Sequence, residues 1–250
     1  MRMPRVCVAR RTRYLERRGA GHSRGVLRHT AATAGTKVHR VTTAPENRRQ
    51  ELTRIAMNLL EAEGPEAVST RKVAAAYGAS TMAVYSEFGS LGGLVSSVVD
   101  QGFRLLEATA RGVPGTDDPV ADLARLASAY VAFGREHPHL YRVIYAVSPL
   151  AGHRRSGEEL LQGAEAFAAW GETVARAYRA GRLSRGRPYD ATMQLWLALH
   201  GQVLAELAGY LGAMRMPDEP LVDGLVHALV IAYGDDPAAT AVSLATARKA

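Results

Sequence analysis

The sequence holds a single cysteine, Cys7, in 250 residues. That excludes a disulfide framework and any cysteine-based metal site, and it fits a reducing compartment. Long uninterrupted apolar runs are missing too. The longest, Met193–Ala213, is broken by Gln194, His200, Gln202 and Glu206, which points to a buried helix and not to a membrane span. No apolar stretch of signal-peptide type follows the early arginines. No segment alternates like a strand between hairpin signals. Catalytic signatures are equally scarce: there is no nucleophile elbow, P-loop or HExxH pattern. "GAGHSRG" at Gly19 lacks dinucleotide spacing and follows no strand pattern. His137 and His139 flank a proline without a neighbouring cysteine or carboxylate pair, so they read as a helix start and not as a metal site. These absences lead to an all-α, cytoplasmic protein that is not an enzyme and needs no metal or cofactor.

Charge is present but unevenly spread. Residues 1–49 carry 13 Lys and Arg against Glu16 and Glu46, while the remainder carries 18 basic and 22 acidic residues. The net charge of +7 is therefore the property of a basic front end on a mildly acidic body. Such an arm favours nucleic acid or another anionic surface. Residues 1–44 show no sustained periodicity and read as a disordered extension. Val41 opens a segment that would serve as a start under an alternative initiation codon.

From Pro45 the pattern is helical. Leu52, Ile55, Ala56, Leu59 and Leu60 form one stripe, which Gly64-Pro65 ends. Thr70 is placed to cap a short helix to Tyr77, with Gly78 beyond its end. Ser80 is placed to cap a third helix through Phe88, and a fourth carries Leu94, Val98, Gly102, Leu105 and Leu106. Further helices are expected over Val120–Gly134, after Pro138, over Leu160–Tyr178, and from about 189 to 212 and 219 to 233. A tail after Asp235 is expected to fray. The last two helices are apolar nearly all round, so each must be buried on two sides. One side fits the chain's own core and the other fits a second copy, in a four-helix interface. The organisation expected is a basic extension (1–44), a three-helix domain (45–92), a larger helical domain (93–235) and a tail (236–250).

Helix, glycine turn and capped helix over Thr70–Phe88 follow the grammar of a helix-turn-helix. With Val84 and Phe88 turned inward, Thr81, Met82, Tyr85 and Ser86 lie on the outer face. Hydroxyls there can meet base edges, a methionine can meet a thymine methyl, and Tyr85 can reach a phosphate. The segment "GASTMAVYSEFGSLGGL" has no Lys or Arg and one acid, Glu87. Phosphate contacts must therefore come from elsewhere. Arg71 and Lys72 in the first turn of the second helix, Arg48 and Arg49 in the first turn of the first, and the helix starts near Thr70 and Ser80 are the candidates.

The stretch "LTRIAMNLLEAEGPEAVSTRKVAAAYGASTMAVYSEFGSLGGL" resembles the DNA-binding domain of the tetracycline-repressor (TetR) family. The shared pattern includes Thr70, Val73-Ala74, Gly78, Ser80, Val84-Tyr85, Phe88 and Leu94. "AYVAFGREHPHLYRVIY" and "LWLALHG" resemble a C-terminal variant marked by Trp196, His200 and Gly201. The resemblance spans about residues 46–235. It implies a homodimeric transcriptional regulator of double-stranded DNA whose larger domain binds a small-molecule effector. It assigns DNA-contact roles to Thr70, Ser80, Thr81, Met82, Tyr85 and Ser86. Two positions depart from the family pattern: Glu87, which would repel phosphate or accept from a cytosine, and Leu91, where relatives often carry a lysine. A helical ligand binder without operator affinity is the alternative. A helical enzyme is a third class, against which the lack of a catalytic cluster stands. Tyr141, Tyr145, Phe167, Trp170, Trp196 and His200 are candidates to line an effector pocket, and equally suit a core. For His200 a hydrogen-bonded core histidine is the simpler expectation.

Overall fold

The computed structural model describes residues 45–215 and 219–249. The expected basic extension lies outside them. Among the described residues the chain forms helices and 3₁₀ turns, with one isolated bridge between Leu150 and His153. No single helix there is long and apolar enough to cross a membrane.

Helix α1 (Pro45–Glu63) buries Leu52, Ala56 and Leu60. These sit at the i, i+4, i+8 spacing that defines one helix face. A 3₁₀ turn at Pro65–Ala67 leads to α2 (Thr70–Tyr77). The cap of α2 is Ser69, one residue before the expected Thr70. The Ser69 hydroxyl accepts from Lys72 N at 3.2 Å, because an extended residue immediately before the first turn has the geometry to reach that amide. Helix α3 (Thr81–Phe88) and α4 (Leu91–Arg111) follow. Ser80 precedes α3 but makes no side-chain cap bond.

The remaining helices pack around α5 (Pro119–Glu136). They are α6 (Pro138–Ile144), α7 (Ala168–Arg179), α8 (Pro188–Leu207), α10 (Glu219–Ala232) and α11 (Pro237–Ala247), while α9 (Tyr210–Ala213) packs on α8. From α5 onward four helices, α5, α6, α8 and α11, open on proline at the first helical position, where the missing N–H has no bond to lose.

Three expectations are corrected. The helix expected over Leu160–Tyr178 is broken into 3₁₀ turns at Gly157–Leu161 and Ala164–Phe167 before α7 begins at Ala168. The break is at Gly163, whose φ is +85° and which lies against the Phe103 ring. A β-carbon there would stand 2.3 Å from the ring, so glycine's freedom is used both for the turn and for the close approach. The helix expected to run to Gly212 stops at Leu207, with Gly209 at φ 82° before α9. The C-terminal segment is not a frayed tail. Asp236 caps α11 by accepting from Ala239 N at 2.9 Å, and Thr240, Ser243 and Leu244 are buried.

Buried charge fastens this end of the molecule. Asp235 is 6% exposed. It accepts from Arg182 at 2.7 and 2.9 Å and from the Thr240 hydroxyl at 2.6 Å. Arg182 also donates to Ser243 Oγ at 3.0 Å and Asp118 Oδ1 at 3.2 Å. One guanidinium thus ties the turn after α7 to the cap of α5 and to α11. Asp235→Ala is expected to cost about 3 kcal/mol, the lower part of the range for breaking a buried pair, because Arg182 keeps Asp118. Urea unfolding at fixed protomer concentration measures it. An unchanged midpoint contradicts this role.

Candidate nucleic-acid interface and effector site

The two helices of the reading head meet across Gly78, φ 76°, whose N–H closes the end of α2 onto Ala74 and Ala75 carbonyls. Val84 and Phe88 turn into the core, as expected. Met82 is 70% exposed and Tyr85 42%, with Ser80 and Ser86 exposed beside them and Thr81 half-buried. Ser86 Oγ donates to Ala83 O at 2.9 Å, which leaves its lone pairs free to accept. Arg71 and Lys72 are exposed at the start of α2, and Thr70 is half-buried. Lys72 Nζ pairs with Glu63 at 2.8 Å. Arg71 has no partner among the described residues.

Arg48 and Arg49 do not stand free. Arg48 Nη1 approaches Glu87 Oε1 at 3.4 Å. Arg49 donates to the Glu87 carbonyl and lies over the Phe88 ring at 4.6 Å. Both guanidiniums therefore hold the C-terminal end of α3, where the helix dipole favours positive charge. Glu87, read from the sequence as an uncompensated acid, has a local cation, and its side chain is only 14% exposed. Leu91 packs against the core at the start of α4.

The aromatic candidates converge. Tyr130, on α5, is buried, and its hydroxyl lies 2.8 Å from Tyr141 Oη and 3.1 Å from Tyr145 Oη. Trp196 Nε1 donates to that same oxygen at 3.0 Å. Tyr141 Oη is 2.7 Å from His200 Nδ1. Trp196 stacks on His200, Phe167 meets Trp196 edge-on, and Trp170 meets Tyr130 edge-on. All six predicted residues thus belong to one cluster, and His200 is hydrogen-bonded as expected. Its centre, Tyr130, was read from the sequence only as one residue of an apolar stripe. The available signal was a tyrosine within a helix otherwise lined by Ala, Leu and Val, since a buried hydroxyl demands partners.

A second contact leaves the cluster through α6. Glu61 of α1 accepts from Leu140 N at 3.2 Å, and His137 Nδ1 stands 3.8 Å from the same carboxylate. Leu140 immediately precedes Tyr141. The histidines flanking Pro138 thus sit at a helix start. Among the described residues no group of three His, Cys, Asp or Glu is placed to hold a metal.

Residues 52–98 match the family model described as bacterial regulatory proteins of the tetR family, and residues 123–230 match the tetracyclin repressor-like C-terminal domain. The chain belongs to the TetR family. It is a DNA-binding transcriptional regulator with a ligand-binding domain. Solved structures share the TetR fold. A protein of unknown function from Rhodococcus sp. RHA1 is 21% identical with a TM-score of 0.66, covering 80% of this chain and all of its own. RolR in complex with resorcinol is 15% identical with a TM-score of 0.59, covering 80% of this chain and 94% of that one. A tetR-family regulatory protein from Rhodococcus RHA1 is 18% identical with a TM-score of 0.54, covering 76% and 98%. No curated protein matches the sequence.

In this TetR protein the first match covers the reading head and the second covers Tyr130, the five candidates from Tyr141 to Trp196, and His200. Burial raises the pKa of Tyr130, Tyr141 and Tyr145, so all three hydroxyls keep their protons. Burial lowers the pKa of His200 below 6.5. The cluster is therefore uncharged at neutral pH. Because the folded value lies below the unfolded one, the unfolded chain takes up this proton first. Stability is full above 6.5 and is lost as pH falls through the folded value. His200→Gln is expected to flatten the acid side of the stability profile, as measured by urea midpoints across that window. Parallel profiles for the two proteins would show that His200 does not titrate on unfolding.

Proposed function

We propose that this TetR-family protein is a homodimeric repressor that binds a palindromic operator and is released by an uncharged aromatic small molecule. The observation that carries this reading is the double engagement of α6. One end of that seven-residue helix is bonded to Glu61 of the reading-head helix α1, and its next residue, Tyr141, belongs to the aromatic cluster. A ligand that rearranges Tyr141 displaces a helix already fastened to α1. The absence of charge in the cluster favours a neutral, planar ligand with hydrogen-bonding groups at its rim, able to replace the hydroxyl contacts it disrupts.

In this reading Thr81, Met82 and Ser86 meet base edges, and Tyr85 meets a phosphate. Arg71, Lys72 and the amides near Thr70 and Ser80 hold the backbone. Arg48 and Arg49 fix the pose of α3. The pairing of Glu87 with Arg48 offsets that carboxylate's charge and so supports operator binding, while Leu91 still stands where relatives often carry a lysine. Dimerisation is assigned to α8 and α10. Within one chain Leu197 is 54% exposed, and Gly201, Gly224, Ala228 and Ala232 are also exposed. This small-residue surface lets two helix pairs approach closely.

Titration of operator and random duplexes at several salt concentrations tests the reading. Arg71→Ala is expected to weaken both duplexes alike and to lower the salt slope by about 1. Met82→Ala or Thr81→Ala is expected to cost roughly 1–3 kcal/mol on the operator and little on random DNA. No shift of the upstream DNA at any salt would favour the ligand binder without an operator. For the dimer, Leu197→Arg is expected to yield a folded monomer in sedimentation. A dimer that survives that change moves the interface elsewhere.

A further inference from the structure

Between α1 and α4 lies a groove of about 560 Å³, a volume within the roughly 300–1,000 Å³ of small-molecule sites. Its floor is fixed by a proton chain. Ser97 Oγ lies 2.9 Å from Thr53 Oγ1, which itself donates to Arg49 O at 2.8 Å. The Thr53 proton is therefore committed, and the Ser97 hydroxyl donates to Thr53. Both side chains are buried. The walls carry three guanidiniums, those of Arg49, Arg54 and Arg104, and three carboxamides, those of Gln50, Asn58 and Gln101. No carboxylate lines the groove.

The three cations differ in what already occupies them. Arg54 is held bidentately by Glu51, one turn back on the same helix. Arg49 is committed to the end of α3. Arg104 donates to the neutral amide of Gln101 at 3.1 Å and has no carboxylate partner among the described residues. It also borders a neighbouring groove carrying Asp100 and Glu107, yet forms an ion pair with neither. Guanidiniums facing one cleft repel each other, and their fork geometry matches the oxygens of phosphate and carboxylate. Neutral amides supply the additional donors that such an anion needs.

We infer that the α1–α4 groove is a second ligand site, distinct from the aromatic cluster, that binds a small polyvalent anion of phosphoryl or polycarboxylate type. The ligand bridges Arg104 and Gln101 of α4 to Arg54 and the amides of α1. It therefore acts on the angle between α1 of the reading head and α4, which begins three residues after α3 ends. This site takes charge, where the aromatic cluster excludes it.

The test uses the full chain, titrated with pyrophosphate and separately with citrate at constant ionic strength balanced with chloride. Binding is followed by calorimetry and by the thermal midpoint. A saturable response is expected with at least one of the two, and the tighter one identifies the phosphoryl or the polycarboxylate source. Arg104→Gln, an exposed change that leaves the core intact, is expected to weaken it about tenfold or more, the effect of losing one charge-assisted contact. Affinity for duplex DNA in anion-free buffer is expected to be the same for Arg104→Gln and wild type. Equal anion responses in the two proteins, or a response to both anions that never saturates, overturn the proposal. So does a loss of duplex affinity in Arg104→Gln, because the groove would then be a contact for the DNA backbone.

Discussion

The constraint on which the larger helical domain depends is the burial of α5 on nearly every side. Small residues make this possible. Ala121, Ala124 and Ala127 are fully enclosed, and Gly134 lets α8 come so close that a β-carbon there would stand 2.4 Å from Val203. On its enclosed sides such a helix leaves no solvent for a polar group. The Tyr130 hydroxyl is carried into the interior all the same, and an unsatisfied hydroxyl there would cost roughly 1–3 kcal/mol. Trp196 from α8, Tyr141 from α6 and Tyr145 just beyond α6 answer that demand. The aromatic cluster is thus a consequence of how the central helix is packed, and its position follows from one oxygen.

The same demand acts at the edges. Asp122 is 2% exposed and accepts from Thr116 N, Thr116 Oγ1, Arg125 and Arg176. It thereby holds the α4–α5 turn against α7. Arg135 grips Glu206 bidentately between α5 and α8, and Arg142 of α6 donates to the Leu207 carbonyl at the end of α8. Helix α6 is therefore fastened at three points: Glu61 of α1, the aromatic cluster and α8. Short helices with several anchors move as rigid pieces, so strain entering at one anchor reaches the others.

The fold class and the reading head were legible in the sequence because each rests on local pattern, whereas the aromatic candidates were named by residue type alone and equally suited a core. Val84 and Phe88 are one helical turn apart, and the caps and prolines mark element starts. What escaped was set by tertiary contact. Gly163 breaks a helix because the Phe103 ring, some sixty residues away, occupies the space. Glu87 looks like a repulsive acid until α1 brings Arg48 and Arg49 to it. Thr70 was read as the cap of α2, and the backbone geometry selects Ser69 one residue earlier. The stretch Pro237–Ala247 has a weak pattern, and it is the Asp235–Arg182 pair and the Asp236 cap that hold it as a helix. Tyr130 was visible as a residue but not as a hub, because its partners come from three separate stretches of chain.

One feature of the cluster bears on how this protein can be watched in solution. The sequence has two tryptophans, Trp170 and Trp196. The first is packed edge-on against Tyr130, and the second is stacked on His200 with its N–H on the Tyr130 oxygen. The entire indole emission of the chain therefore originates within one ring shell of a single hydroxyl. An imidazole in face contact is an excited-state electron acceptor once protonated, and tyrosines at this distance pass their excitation to the indoles. Under excitation selective for indole the cluster is its own optical probe, with no competing tryptophan in the reading head or the outer helices.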